Sequence, residues 1–326
     1  MFRTYQVAAS GPDVHHDTLL SNIAVMAFDT GEDGFVVDRI LPAVPVGKQS
    51  DRYAVIDKGE FLRRVDAYRA PRTEARRVEF KVSSDAYFAK NYALAAENAL
   101  EDLDNADNVF QLRENSTKLV TGDLRRAQEI RVADRLTSIS NVGSGVVLAG
   151  ANQWSDYVNS DPLGDVNTGH AFIQHATGLV ANTGVVDFDT FQILQRHPDL
   201  LDMYKYTNGG LVTQAQIAAA FKVGNLWVAQ GVVENALEGG VSSMTQIWGR
   251  SFFLCYVGPA TGLQTRTFGL RYQWRPPSFP APFATHTKRY EGAGSRNVEV
   301  VQAEHYQDER VIARDLSYLL KDTVAA

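Results

Sequence analysis

The sequence predicts an α+β fold organised around one long hairpin and one long helix. Alternating segments Tyr53–Ile56 and Val78–Val82 bracket a polar, arginine-rich connection. A helix-patterned stretch follows at 108–137, and strand-like runs return on both sides of a mixed central region. A hairpin of this length cannot bury itself and needs another surface to lie on, which points to an assembly subunit before an enzyme. Loops this long inside compact domains are usually functional or disordered, and the strands flanking this one argue for order.

In chain order, residues 1–51 read as an extended arm. Thr18–Ala27 has the pattern of a short helix, and Phe35–Leu41 leads into Pro42-Ala-Val-Pro-Val46, where two prolines favour extended backbone. The hairpin spans 52–92. Its middle carries Lys58, Arg63, Arg64, Arg69, Arg72, Arg76 and Arg77, and Ala70-Pro71 marks a turn or kink. Charge then reverses: Glu97, Glu101, Asp102, Asp104 and Asp107 occur with no lysine or arginine among them. Acids ahead of a helix complement its dipole; they also suit docking of a basic partner segment. In the long helix, Val109, Leu112, Ser116, Val120, Leu124, Ala127 and Ile130 recur at helical steps, with Asp107 as N-cap and Gly122 as a weak point. The opposite face, with Arg113, Arg125, Arg126, Glu129 and Asp134, is expected to be solvated or to meet a partner.

Beyond a Gly/Ser turn, a second helix is expected from Asp165 to Thr177, stopped by Gly178. Thr183–Asp187 reads as a strand and Asp189 opens a short helix ending near His197-Pro198. Thr213-Gln-Ala-Gln216 fits a capping box. Further strands are expected at Leu226–Val233, Ser251–Val257 and Phe268–Trp274, a rigid connector at Arg275–Pro282, and strand-like pieces at Val298–Val301 and Arg310–Leu320.

Composition excludes several classes. The 326 residues, 44% hydrophobic, are enough for a real core, and 21% charged residues with a mean hydropathy of -0.22 are an ordinary soluble balance. A formal charge of -6 argues against coating nucleic acid by bulk attraction. The lone Cys255 excludes an intrachain disulfide framework and a cysteine zinc site, and its apolar run Phe252–Val257 suits a buried small hydrophobe. There is no signal-peptide pattern and no apolar run of membrane-spanning length, so synthesis in the cytosol is expected.

Catalytic motifs are missing. His170 shares a helical face with Val166 and Ile173, which suits a half-buried structural histidine. His175 has the wrong spacing to join it as a metal ligand, and His15-His16 has no placed partners. Gly143-Ser-Gly145 with Gly150 matches neither a dinucleotide fingerprint, a phosphate loop nor a nucleophile elbow. Asn115-Ser-Thr117 matches a glycosylation acceptor only formally. No catalytic residue, cofactor or metal site is expected.

The order of parts, with several local phrases, resembles the major capsid protein of tailed bacteriophages. The phrases are Lys48-Gln-Ser-Asp-Arg-Tyr53, Arg69-Ala-Pro71, Trp154-Ser-Asp156 with Ser160-Asp-Pro162, Thr177-Gly178 with Asn182-Thr183, His197-Pro198 and Ile247-Trp-Gly249. Each is weak alone; their order across nearly the whole chain is specific. Arg72 stands where many relatives have glycine, and Ala181 where proline is common.

The resemblance implies a chainmail-type icosahedral capsid fold shared with encapsulins. Its parts would be an N-terminal arm (1–51), an extended hairpin loop (52–92), a peripheral domain (93–180 and 283–326) with a spine helix at about 108–137, and an axial domain (181–282). It implies a non-enzymatic structural subunit that self-assembles into hexamers and pentamers, located in the virion capsid and assembled in the host cytoplasm. The shell would enclose double-stranded DNA without sequence-specific binding. Portal and scaffolding or decoration proteins would be further partners, the scaffold being separate or already removed, and no membrane is involved. For the subunit interface, Arg63, Arg64, Arg69, Arg72, Arg76 and Arg77 are expected to meet Glu97, Glu101, Asp102 and Asp104 of a neighbour. Alternatives are an encapsulin-like nanocompartment shell protein and, in another class, a soluble α+β enzyme without a linear motif.

Overall fold

The computed structural model describes residues 15–16, 34–56, 58–75, 77–78, 81–105, 109–205, 211–236, 240–259, 266–277, 282–290 and 297–325. The expected helix at Thr18–Ala27, the Asp107 cap, Arg76 and part of the Arg275–Pro282 connector lie outside these residues.

The N-terminal region contributes β1 (His15–His16), α1 (Val37–Ile40) and β2 (Ala43–Val46). The hairpin is β3 (Ser50–Ile56) and β4 (Val82–Phe88), with a short α2 (Lys58–Leu62) in the connection. Its second strand therefore lies beyond the expected Val78–Val82. Pairing runs from Ser50 opposite Phe88 to Ile56 opposite Val82. Ser83, Ser84 and Asp85 give this strand no apolar signal, because neither face of the ribbon joins a core at that point. β5 (Lys90–Ala99) continues the chain into α3 (Leu100–Asn105) and the long helix α4 (Val109–Leu136). Its 28 residues span about 42 Å at 1.5 Å per residue, and it passes Gly122 unbroken.

Then follow β6 (Ser144–Val147), α5 (Pro162–Thr177), β7 (Thr183–Asp187), α6 (Phe188–Leu194), α7 (Pro198–Tyr204), α8 (Gln214–Ala220), β8 (Asn225–Ala229), β9 (Val232–Glu234), β10 (Met244–Gln246), β11 (Ser251–Cys255), β12 (Gly269–Trp274), β13 (Ala284–Tyr290), β14 (Val298–Val311) and β15 (Ser317–Lys321). α5 starts three residues before the expected Asp165. Asp161 accepts from the Gly164 N–H as N-cap, and Pro162 occupies the first turn, where a missing N–H costs nothing. Gly178 ends it at φ 75°, in the left-handed region glycine enters freely. The capping box at Thr213 forms as expected, with Gln216 returning its bond.

Two main sheets organise the described residues. One runs β1-β13-β14-β12-β2, with β5 pairing along the other edge of β14. The second runs β6-β15-β11-β7-β8. β7 and β11 are buried on both faces, as is β15 except at its last residue. Their apolar runs therefore show no alternation, as expected for strands covered on both sides. Strand pairing cuts across the segment boundaries at 180/181 and 282/283. β12 joins β14 in the first sheet, while β15 joins β11 and β7 in the second.

The larger core fills the second sheet and its helices, centred on Trp154, Phe221, Phe252, Phe253 and Leu319. A small one, Val120, Leu124 and Ala303 with Tyr92 and Ala96, lies between α4 and the first sheet. The C-terminal end of α4 (Val132, Ala133, Leu136) enters the larger core. The long helix is thus a beam joining both sheets.

Candidate assembly surfaces

The base of the hairpin is tied to its own subunit. Tyr87 stacks on Tyr272 with ring centroids 4.6 Å apart, and Tyr53 lies 5.2 Å from the same ring. Tyr53 donates to Asp85 Oδ2 across the ribbon at 3.0 Å, the Phe88 N–H donates to Asp308 Oδ2 at 3.0 Å, and Lys58 pairs with Asp315.

Past α2 the connection leaves the body. Every described residue from 62 to 78 is exposed, including the apolar Leu62, Val65, Tyr68 (79% exposed) and Val78 (72%). Arg63, Arg64, Arg69, Arg72 and Arg77 stand on this stretch, and Arg77 reaches Glu74 of its own loop at 4.0 Å. A solvent-facing pair of this kind contributes little. Single exposed apolar residues need no explanation. Four on one exposed segment are apolar surface of the kind found at interaction sites.

The acids occupy a second surface. Glu97 is near the end of β5, and Glu101, Asp102 and Asp104 are on α3; all four are exposed, while Leu103 turns inward and is 2% exposed. The helix behind these acids is therefore α3, not the long helix itself.

The polar face of α4 departs from the sequence expectation at two residues, while Arg126 and Asp134 are exposed as expected. Arg125 and Glu129 are buried, at 5% and 2% exposure, and with Thr117, Thr121 and Gln128 they share the buried side of the helix with the expected Val120 and Leu124. The apolar count missed these five because they are polar. Glu129 accepts from the backbone N–H groups of Val36 (3.0 Å) and Val37 (3.2 Å) at the start of α1, and from the Trp248 indole N–H (2.6 Å). One carboxylate thus pins the base of the arm, the long helix and the segment before β11. Burial pushes its pKa up while the three donors pull it back. Further along, Glu299 is fully buried between Arg113 of α4 and Arg289 of β13, and Arg131 reaches Glu309 at 3.0 Å. These partners are more than 90 residues apart in sequence except for Arg289, so no local pattern marks them.

No constellation in the described residues suggests catalysis. His170 is 8% exposed with Nε2 2.8 Å from the Phe221 carbonyl, a structural contact. His197 caps α7 and meets Ser160 Oγ at 3.0 Å. His305 lies between the Tyr92 and Phe283 rings, and burial pushes its pKa down to about 3. Cys255 is fully buried. Among the described residues no cluster of three His, Cys, Asp or Glu is placed to hold a metal, and no helix is long and apolar enough to cross a membrane. A shallow cleft of about 270 Å³ is lined by Tyr157, Asp189, Arg196 and Arg250 beside the C-terminal residues; no nucleophile with an adjacent base faces it.

No family model matches the chain. The major capsid protein of Pseudomonas phage JBD67 is 26% identical over 315 residues, covering 95% of this chain and 97% of that protein. That of Burkholderia phage BcepMu is 25% identical over 254 residues, covering 77% and 79%. The chain is thus similar, over most of its length, to the major capsid proteins of two bacteriophages. Solved structures agree on the capsid fold. A phage-related protein from Bordetella bronchiseptica RB50 superposes with a TM-score of 0.72 at 22% identity, over 94% of this chain and 97% of that one. The mature capsid of bacteriophage PhiM1 superposes with 0.53 at 11% identity, over 98% and 91%. These similarities support a structural capsid subunit and speak against enzymatic activity. Both curated relatives are phage proteins, which does not favour the encapsulin alternative.

Proposed function

We propose that this chain self-assembles into hexamers and pentamers that close into an icosahedral shell around double-stranded DNA, with the hairpin and the acidic α3 surface as complementary contacts between neighbours. One observation carries the reading: the connection at 62–78 is exposed at every described residue and carries both arginines and large apolar side chains. A closed shell needs contacts of this head-to-tail kind, repeated around symmetry axes, and many modest contacts add through avidity. The first sheet with α4 would form the peripheral part of the subunit and the second sheet the axial part. A subunit with a net charge of -6 would line the interior without gripping the DNA. Portal and scaffolding or decoration proteins complete the expected set of partners, with assembly in the host cytoplasm.

The test is electron microscopy of the expressed full-length chain alongside Arg76→Glu/Arg77→Glu. The wild type should give shells or capsomers. The double variant should fold with an unchanged circular dichroism spectrum yet assemble poorly. Normal shells from the variant would remove the hairpin contact from the reading, and a small stable oligomer from the wild type would remove self-assembly.

A further inference from the structure

The hairpin apex holds a residue its own geometry disfavours. Pro71 occupies the second position of a turn in which the Thr73 N–H donates to the Ala70 carbonyl at 3.3 Å, and the Thr73 hydroxyl donates to the same oxygen at 2.7 Å. Arg72, in the third position, has φ 67°. Proline second and a positive φ third is the pattern of a type II turn, whose third position is suited to glycine or asparagine. Arginine there carries a conformational cost that glycine would not. Among the described residues nothing offsets it: Arg72 is exposed and forms no ion pair with any of them. The two hydrogen bonds to the Ala70 carbonyl keep the turn closed, with Arg72 facing solvent.

Resting on the proposed shell reading, we infer that Arg72 is the specificity-determining contact of the hairpin, engaging the carboxylates of Glu101 and Asp102 on α3 of a second copy of this chain. The strained backbone is tolerated because the side chain is needed in the assembled state. Three observations favour that occupant. α3 presents exposed acids on a described, ordered element. The stretch 97–107 contains no lysine or arginine to neutralise them. A planar guanidinium matches carboxylate pairs in a way a lysine ammonium does not.

The experiment measures self-association of the full-length chain by sedimentation velocity, for wild type, Arg72→Gly, Arg72→Lys, Arg72→Glu, and Arg72→Glu combined with Glu101→Arg/Asp102→Arg. Arg72→Gly relaxes the turn and removes the contact. It should weaken association by about fivefold, the ratio that corresponds to about 1 kcal/mol, while the subunit melts no lower than wild type. Arg72→Lys should fall between the two, Arg72→Glu should lose more than Arg72→Gly, and the charge-swapped combination should recover association. Arg72→Gly associating as tightly as wild type, or no recovery in the combination, overturns the inference. The wider reading is judged separately. If Arg72→Gly is normal while Arg76→Glu/Arg77→Glu fails, the hairpin contact stands and only the role of Arg72 falls; if both are normal, the hairpin contact itself falls.

Discussion

Replacing Glu129 tests whether the capsid subunit is held together where three distant segments meet. The carboxylate serves three donors, the Val36 and Val37 N–H groups and the Trp248 indole, at 3.0, 3.2 and 2.6 Å. Its surroundings exclude water, since Glu129, Val36, Val37 and Trp248 are each at most 3% exposed. A buried donor left without an acceptor costs roughly 1–3 kcal/mol. Three orphans sum to about 3–9 kcal/mol before relaxation, and water entering the vacated side-chain volume recovers part of it. The carboxylate was itself desolvated, as its raised pKa records, so its removal returns a further part. The net expectation for Glu129→Ala is a loss of about 2–4 kcal/mol, large against the 5–15 kcal/mol of a typical domain. Glu129→Gln keeps one acceptor but turns an amide N–H toward a donor, so about 1–2 kcal/mol is expected. Urea unfolding of the free subunit, followed by tryptophan fluorescence, measures both. A loss below about 1 kcal/mol for Glu129→Ala would show that the three donors find other acceptors easily, and the clamp would be incidental.

Two further substitutions probe the two sheets. Asp187 caps α6 from full burial, and burial raises its pKa from 3.8 to about 6. The folded state therefore holds the proton more tightly than the unfolded one. The stability this contributes is fully present below pH 3.8 and is lost as pH rises to about 6. Asp187→Asn keeps a capping oxygen and has no charge to desolvate, so it should abolish that slope and leave the subunit about 1–3 kcal/mol more stable at pH 7; an unchanged pH profile in calorimetry would refute the burial argument. In the first sheet, a Cβ at Gly269 would stand 2.6 Å from Leu41 Cδ2 and 2.8 Å from the Arg310 carbonyl of the paired strand. Gly269→Ala should cost about 1–3 kcal/mol by crowding β12 against β14, and a melting temperature equal to wild type would show that the strands separate freely.

Much of the chain was legible because local rules decide it. The long helix, expected at 108–137, is Val109–Leu136; Thr183–Asp187 and the Thr213 capping box fall where predicted; and the hairpin was marked by its arginines and Ala70-Pro71. The second hairpin strand was misplaced, because an exposed ribbon needs no apolar alternation and its register is set by pairing with β3. The inward face of α4 was misread for the opposite reason. A helix buries whatever its neighbours satisfy, and Arg125 and Glu129 face inward, Glu129 because partners from residues 36, 37 and 248 supply its hydrogen bonds.

By itself, the sequence determined the long helix, the capped helices, several of the strands and the charges carried by the hairpin and the 97–107 stretch, since these follow from periodicity, capping and composition over a few residues; the strands β5 and β13 had no such local signal. Only the tertiary structure decided which strands share a sheet, with β15 beside β11 and β12 beside β14. It alone also decided which polar side chains are interior. Hydrogen-bond pairing and desolvation depend on residues far apart in the chain, and no local pattern records whom they will meet.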